Sequence, residues 1–163
     1  MPATYEPIAT ITLGSGVTSY TFSSIPSTYT DLVLIGDWSI STAGGAATVV
    51  QFNGDTGTNY SNTYIYGTGS AAGSGRGSNS TNFGIGYETA ANTRQNTIVY
   101  FMNYSNTTTF KTSLTKNSAP SLQYVAYVSL WRSTAAISSI KLDNLGASFV
   151  SGSTFTLYGI AAA

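Results

Sequence analysis

Hydrophobic and polar positions alternate along much of this chain with a period of two. Leu32, Leu34, Gly36, Trp38 and Ile40 fall on one face of a strand, with Val33 and Ile35 opposite. Phe83, Ile85 and Tyr87 alternate with Gly84, Gly86 and Glu88, and Phe110, Thr112 and Leu114 alternate with Thr109, Lys111, Ser113 and Thr115. A period of two puts the two sets on opposite faces of a sheet. From 122 to 131 both sets are largely apolar: Leu122, Tyr124, Ala126, Val128 and Leu130 against Gln123, Val125, Tyr127, Ser129 and Trp131. That pattern predicts a central strand covered on both sides. No stretch carries helical spacing, and the richness in Thr, Tyr, Val and Ile points the same way.

Strand candidates lie at 8–13, 17–23, 30–40, 47–52, 60–66, 83–88, 95–104, 108–115, 122–132, 137–142 and 154–160. About eleven short strands with turn signals between them predict an all-β protein, an antiparallel β-sandwich of jelly-roll-like kind. Residues 1–163 form one domain on this reading, because no linker separates two self-sufficient cores. Asn53-Gly54-Asp55-Thr56-Gly57 supplies residues tolerant of positive φ for one turn, and Ile25-Pro26-Ser27 punctuates another. The Gly/Ser-rich stretch at 68–82, around Arg76, reads as a loop. A mobile loop is the plain reading, and an arm ordered by a neighbouring subunit is the sharper one. Asn59-Tyr60-Ser61-Asn62-Thr63 recurs as Asn103-Tyr104-Ser105-Asn106-Thr107, which points to similar strand–turn chemistry used twice and not to a solenoid.

Composition narrows the function more than the fold. Charged residues are 7 % of the chain, six cations balance six anions, and His and Cys are absent. Without His or Cys the commonest general base, the thiolate nucleophile and the usual zinc ligands are gone. Six scattered cations make no basic stripe for nucleic acid. Polarity is carried instead by 25 Thr, 23 Ser and 11 Asn, while aromatic residues at 13 % argue against disorder. A neutral surface with so few ions suits a protein partly covered by neighbours better than a free monomer. The chain opens with neither a basic n-region nor an apolar run, so no signal peptide or membrane span is read and synthesis in the cytoplasm is expected.

The remaining motifs are weak. Asn53, Asp55, Gly57 and Asn59 have a calcium-loop flavour, but the twelfth position from Asn53 is Tyr64 and flanking helices are missing, so an Asx/Gly turn is the better reading. Ser113-Leu114-Thr115-Lys116 matches S-x-x-K, yet alternates like a strand and lacks the supporting S-D-N and K-T-G motifs. Nothing in the spacing pairs Glu6, Asp31, Asp37, Asp55, Glu88 or Asp143 for glycoside hydrolysis. Asp37 beside Trp38 resembles a sugar platform, but Trp38 shares a face with Leu32 and Leu34 and so belongs to the core. Sequons at Asn59, Asn79, Asn103 and Asn106 are expected by chance in so Ser/Thr-rich a chain. No catalytic, metal or cofactor site is expected.

Several phrases carry a family resemblance. They are Phe52-Asn53-Gly54-Asp55-Thr56-Gly57, Asn103-Tyr104-Ser105-Asn106-Thr107-Thr108, Leu130-Trp131-Arg132-Ser133-Thr134 and Gly152-Ser153-Thr154-Phe155-Thr156-Leu157-Tyr158-Gly159-Ile160. With Tyr5-Glu6-Pro7-Ile8 and the run from Phe22 to Tyr29, the chain resembles a β-rich virion domain of tailed bacteriophages, of the cyanophage and marine-phage type. The resemblance implies a non-enzymatic virion protein. As a free-standing domain it is expected to be a capsid decoration or cement protein on the capsid surface, a homotrimer whose partners are the major capsid protein and its own copies, with no nucleic acid or membrane. Its alternative is a receptor-binding module of a tail fibre or tail tip that recognises a host glycan. Loop position and amphipathic chemistry nominate Tyr5, Tyr64, Tyr66, Arg76 and Arg94 for subunit or capsid contacts. Under the glycan alternative the candidates are Asp55, Asn59 and Arg76.

Overall fold

A computed structural model describes residues 4–42, 46–88, 90–119 and 123–161. Twelve strands form two antiparallel sheets, and no helix occurs among the described residues. The strands are β1 (Tyr5–Thr12), β2 (Ser19–Phe22), β3 (Asp31–Trp38), β4 (Ala46–Phe52), β5 (Tyr60–Gly67), β6 (Ala72–Ser80), β7 (Phe83–Glu88), β8 (Gln95–Met102), β9 (Lys111–Ala119), β10 (Gln123–Trp131), β11 (Ile140–Leu145) and β12 (Thr154–Ile160). One sheet has the order β1-β12-β3-β8-β9-β10-β5-β6 and the other β2-β11-β4-β7. Eight of these strands reproduce the jelly-roll order, β1-β12-β3-β8 facing β2-β11-β4-β7. The other four are two hairpins, β5–β6 inserted between β4 and β7, and β9–β10 inserted between β8 and β11. Both hairpins add to the same sheet beyond β8, which makes it twice as wide as its partner.

The sandwich and the single domain agree with the alternation. The inner faces meet in a core of aromatic and branched side chains. Phe52 packs edge-on to Phe101 with ring centres 5.4 Å apart and lies 5.3 Å from Trp131. Trp38, Phe149 and Phe155 make a second ring cluster, with Trp38 fully buried beside Leu32 and Leu34. Burying each such ring contributes about 1.5–3 kcal/mol, so these clusters supply much of what holds the sheets together. The turn at Asn53-Gly54 has φ of 53° and 69°, the positive values its residue types tolerate.

Three expectations need correction. The stretch at 68–82 is neither a mobile loop nor a free arm, since Ala72–Ser80 is the edge strand β6, paired along β5 from Gly67↔Ala72 to Tyr60↔Ser80. Its glycines alternate, and Gly73 and Gly75 sit opposite Tyr66 and Tyr64. A Cβ on Gly73 would come 2.6 Å from the Tyr66 hydroxyl, and one on Gly75 would strike the Tyr64 ring. The glycines are therefore what lets both rings lie flat across the edge strand.

The second correction concerns β9, where the polar set faces inward. Lys111, Ser113, Thr115 and Asn117 are buried beneath β7, while Leu114 is 44 % exposed and Phe110, just before the strand, 52 % exposed. Part of this polar row is bonded: Asn117 Nδ2 donates to Thr97 Oγ1 at 2.7 Å, and Lys111 Nζ to the Thr109 and Thr134 carbonyls at 2.7 and 3.1 Å. Among the described residues the side-chain oxygens of Ser113, Thr115 and Ser129 have no hydrogen-bond partner. Alternation reveals two faces without saying which one is covered.

Third, β10 is central in its sheet but is covered on one side only. Val125, Tyr127, Ser129 and Trp131 are buried, while Tyr124 and Val128 are 46 % and 56 % exposed. Leu122 lies outside the described residues. The expected count of about eleven strands becomes twelve because β6 falls in the Gly/Ser-rich stretch whose composition reads as loop.

Candidate functional site

The wide sheet leaves its outer face uncovered, and register places the side chains there in rows. One row runs Tyr158, Val33, Tyr100, Leu114, Val128 across β12, β3, β8, β9 and β10. The next runs Thr156, Ile35, Ile98, Lys116, Ala126, Ile65. Ile35, Leu114, Val128 and Ile65 are 42 %, 44 %, 56 % and 61 % exposed and make an apolar patch around the cation Lys116, while Val33 of the first row is buried. Scattered exposed apolar residues are ordinary, but a contiguous patch marks a contact surface. A shallow groove of about 520 Å³ crosses its end, between Arg76 on β6 and Val128 and Leu130 on β10.

A second concavity lies on the other side of the same sheet. Because β5 and β6 project beyond the narrow sheet, the inward Tyr64 and Tyr66 of β5 face its edge strand β7, while Tyr60 reaches Phe52 of β4. Tyr64, Tyr66, Tyr87, Tyr127, Thr68 and Gln123 line a cleft of about 490 Å³ there. The Tyr64 ring centre is 5.4 Å from that of Tyr127 and 6.4 Å from that of Tyr66, with the rings tilted by 44° and 34°. The Gln123 side-chain amide donates to the Tyr87 carbonyl, tying β10 to β7 at the mouth.

The nominated contact residues fall on separate surfaces. Tyr5 is half exposed on the edge strand β1, edge-on to Tyr158 at 6.2 Å. Tyr64 and Tyr66 line the inter-sheet cleft, and Arg76 points outward from the far edge. Arg94 pairs with Asp37 at 3.4 Å and donates to the Gly152 carbonyl, which ties two loops of the fold. Only Tyr64 and Tyr66 are brought together.

Of the glycan candidates, Asp55 and Asn59 are adjacent, but the Asp55 carboxylate and the Asn59 amide nitrogen are engaged inside the fold. Asp55 Oδ2 accepts from Trp131 Nε1 at 2.7 Å and from Asn59 Nδ2 at 3.0 Å, and its Oδ1 accepts from the Gly57 amide at 2.8 Å. Burial pushes the Asp55 carboxyl up, and the three donors outweigh it, so its pKa lies below the ordinary carboxylate value. Arg76 is on the opposite face of the wide sheet from Trp131, so the three do not converge. Asn53 is spent likewise, its Oδ1 accepting from the Ser138 and Ser139 amides at 2.8 and 3.1 Å. Ser113 and Lys116 point to opposite faces of β9, which rules out the S-x-x-K pairing. Among the described residues no group of three or more carboxylates is placed to hold a metal ion.

Sequence reasoning missed Tyr87 and Gln123 in the cleft, and the rows of the outer face. Alternation carried part of the second signal, since Tyr124, Val128 and Leu114 stand at outward positions, but strand order was needed to align them. No family model matches the chain, and no curated protein matches it in sequence. Among solved structures it is similar to a mutant of the alginate lyase Aly36B in complex with an alginate tetrasaccharide. The identity is 11 % and the TM-score 0.31, over 94 % of this chain and 80 % of that one, a likeness that carries no inference for this chain.

Proposed function

We propose that this protein is a non-enzymatic virion structural protein, a decoration or cement protein that docks on the major capsid shell through the outer face of its wide sheet. The observation that carries the reading is the apolar patch on that face, where Ile35, Leu114, Tyr124, Val128 and Ile65 are exposed on four strands and Lys116 is the one charge within the rows. Such a face suits a flat protein partner, because association removes apolar area from water at about 25 cal/mol per Å² and strands few ions. The sequence resemblance to phage virion domains supplies the identity of the partner, and repeated copies on a lattice make modest affinity per copy sufficient. The receptor-binding alternative is less well served by its own candidates, since Asp55 and Asn59 are consumed in a turn that holds Trp131.

Immunogold labelling and cryo-electron microscopy of intact particles test the proposal. Regular density over the icosahedral head is expected, with deletion of the gene lowering the temperature and osmotic shock that heads survive. Label confined to the tail tip, with heads of unchanged resistance and lost adsorption on deletion, would overturn it in favour of a tail module.

A further inference from the structure

We infer that the tyrosine cleft between β5, β7 and β10 is a binding site for a neutral oligosaccharide. The site is independent of the docking face, because it opens on the inner side of the wide sheet where that sheet overhangs its partner. Three features carry the inference. The first is ring presentation. Tyr64 and Tyr66 lie across Gly75 and Gly73, positions where a Cβ would collide with them, so the rings stay flat against the strand instead of standing up from it. With Tyr127 at 5.4 Å from Tyr64 they make a stepped aromatic floor. Flat rings backed by bare main chain offer a face to the C–H side of a pyranose, while their hydroxyls meet its equatorial hydroxyl groups.

Second, the cleft is held open by the same device on its other wall. Gly84 and Gly86 of β7 contribute backbone only, and a Cβ on Gly84 would already stand 3.3 Å from the Tyr127 ring. The volume of about 490 Å³ falls within the roughly 300–1,000 Å³ of small-molecule sites. Third, the chemistry of the lining selects the class of ligand. Among the described residues the lining contains no Asp, Glu, Lys or Arg, so no cation there neutralises a uronate, sulfate or phosphate. The Tyr64, Tyr66 and Tyr87 hydroxyls and the Gln123 amide instead provide uncharged donors and acceptors, which excludes a purely hydrocarbon ligand. Gln123, through its bond to the Tyr87 carbonyl, keeps that mouth in one geometry before any ligand arrives.

The test is an amide-shift NMR titration of the full chain with maltohexaose, cellohexaose and chitotetraose, with tetragalacturonate as the acidic control. Saturable shifts confined to β5, β7 and β10 around the cleft are expected for at least one neutral oligosaccharide, and none for the galacturonate. Tyr66→Ala and Tyr87→Ala, both at solvent-exposed positions, should each weaken binding by about tenfold or more. Tyr66→Phe, which keeps the ring, should stay within about threefold. Absence of saturable shifts with all three neutral sugars would overturn the inference. So would shifts mapped to the outer face, or affinity unchanged in both alanine variants with their spectra otherwise intact. Tighter binding of tetragalacturonate than of any neutral sugar would overturn the assignment of ligand class.

Discussion

At the scale of single residues, the turn from Phe52 to Tyr60 shows how polar groups are committed. Asp55 holds Trp131, Asn59 and the Gly57 amide, and its depressed pKa links that cluster to pH. A carboxyl whose folded pKa lies below its unfolded value of about 3.9 contributes stability above that value, and the contribution is lost as pH falls through the folded pKa. Asp55→Asn should therefore cost about 1–3 kcal/mol at pH 7. The gap from wild type should narrow when urea unfolding is repeated near pH 3. Tyr60 works at the opposite limit. Burial pushes its phenol up to about 12, and its hydroxyl accepts from the Phe52 amide at 3.0 Å and donates to the Asp55 carbonyl at 3.1 Å. A raised pKa means stability that is full below about 10 and drains away as pH climbs toward 12. Tyr60→Phe should flatten the alkaline limb of a melting profile and lower stability at pH 7 by about 0.5–1.5 kcal/mol. Tyr104, raised by burial and hydrogen-bonded to the Pro26 carbonyl, retains part of that limb. The repeated Asn-Tyr-Ser-Asn-Thr phrase thus uses its tyrosine twice as a tie to turn backbone. The residue types of this turn were legible, but not that the Asp55 carboxylate is committed to Trp131, Asn59 and the Gly57 amide.

At the scale of elements, β6 and β9 show why period-two reading stops short. β6 has no large apolar residue to signal a strand, because Gly73 and Gly75 stand at its inward positions beneath Tyr66 and Tyr64 of β5. Alanine in place of an edge-strand glycine ordinarily stabilises by restricting the unfolded chain. Gly75→Ala should do the reverse, costing about 1–3 kcal/mol because the Tyr64 ring must leave its seat. A rise in melting temperature would show that the glycine has no such role. In β9 the alternation was visible and its sense was not, since Lys111, Ser113, Thr115 and Asn117 face inward under β7. That arrangement predicts opposite signs for one substitution on neighbouring strands. Thr115→Val removes a buried hydroxyl without a protein partner and should stabilise by about 1 kcal/mol. Thr97→Val removes the acceptor of the Asn117 amide at 2.7 Å and should destabilise by about 1–3 kcal/mol. Differential scanning calorimetry of the two variants decides the matter.

At the scale of the whole molecule, the jelly-roll core was legible because eight of its strands alternate with inward apolar residues. The widening of one sheet was not, because it depends on two hairpins choosing the same edge, a long-range choice that local pattern does not encode. That widening creates both the overhanging cleft and the broad outer face, and the face makes a prediction that separates docking from folding. Ile35 and Val128 are 42 % and 56 % exposed, so an aspartate at either position loses little packing and should change unfolding free energy by no more than about 0.5 kcal/mol. The same aspartates would be buried without a partner in any complex that covers the rows around them, at a cost of several kcal/mol each. The double variant Ile35→Asp/Val128→Asp should therefore melt close to wild type yet fail to occupy heads that lack the protein, with affinity down at least about a hundredfold. Salt discriminates further. A contact through apolar rows that hold one lysine should keep its occupancy as NaCl is raised from about 0.1 to 1 M, over which the screening length falls from roughly 10 to 3 Å. Calorimetry of docking should show a negative heat-capacity change. Occupancy that drops steeply with salt and survives the double aspartate variant would place the contact elsewhere, at the far edge where Arg76 is found or on the narrow sheet, which carries Lys141.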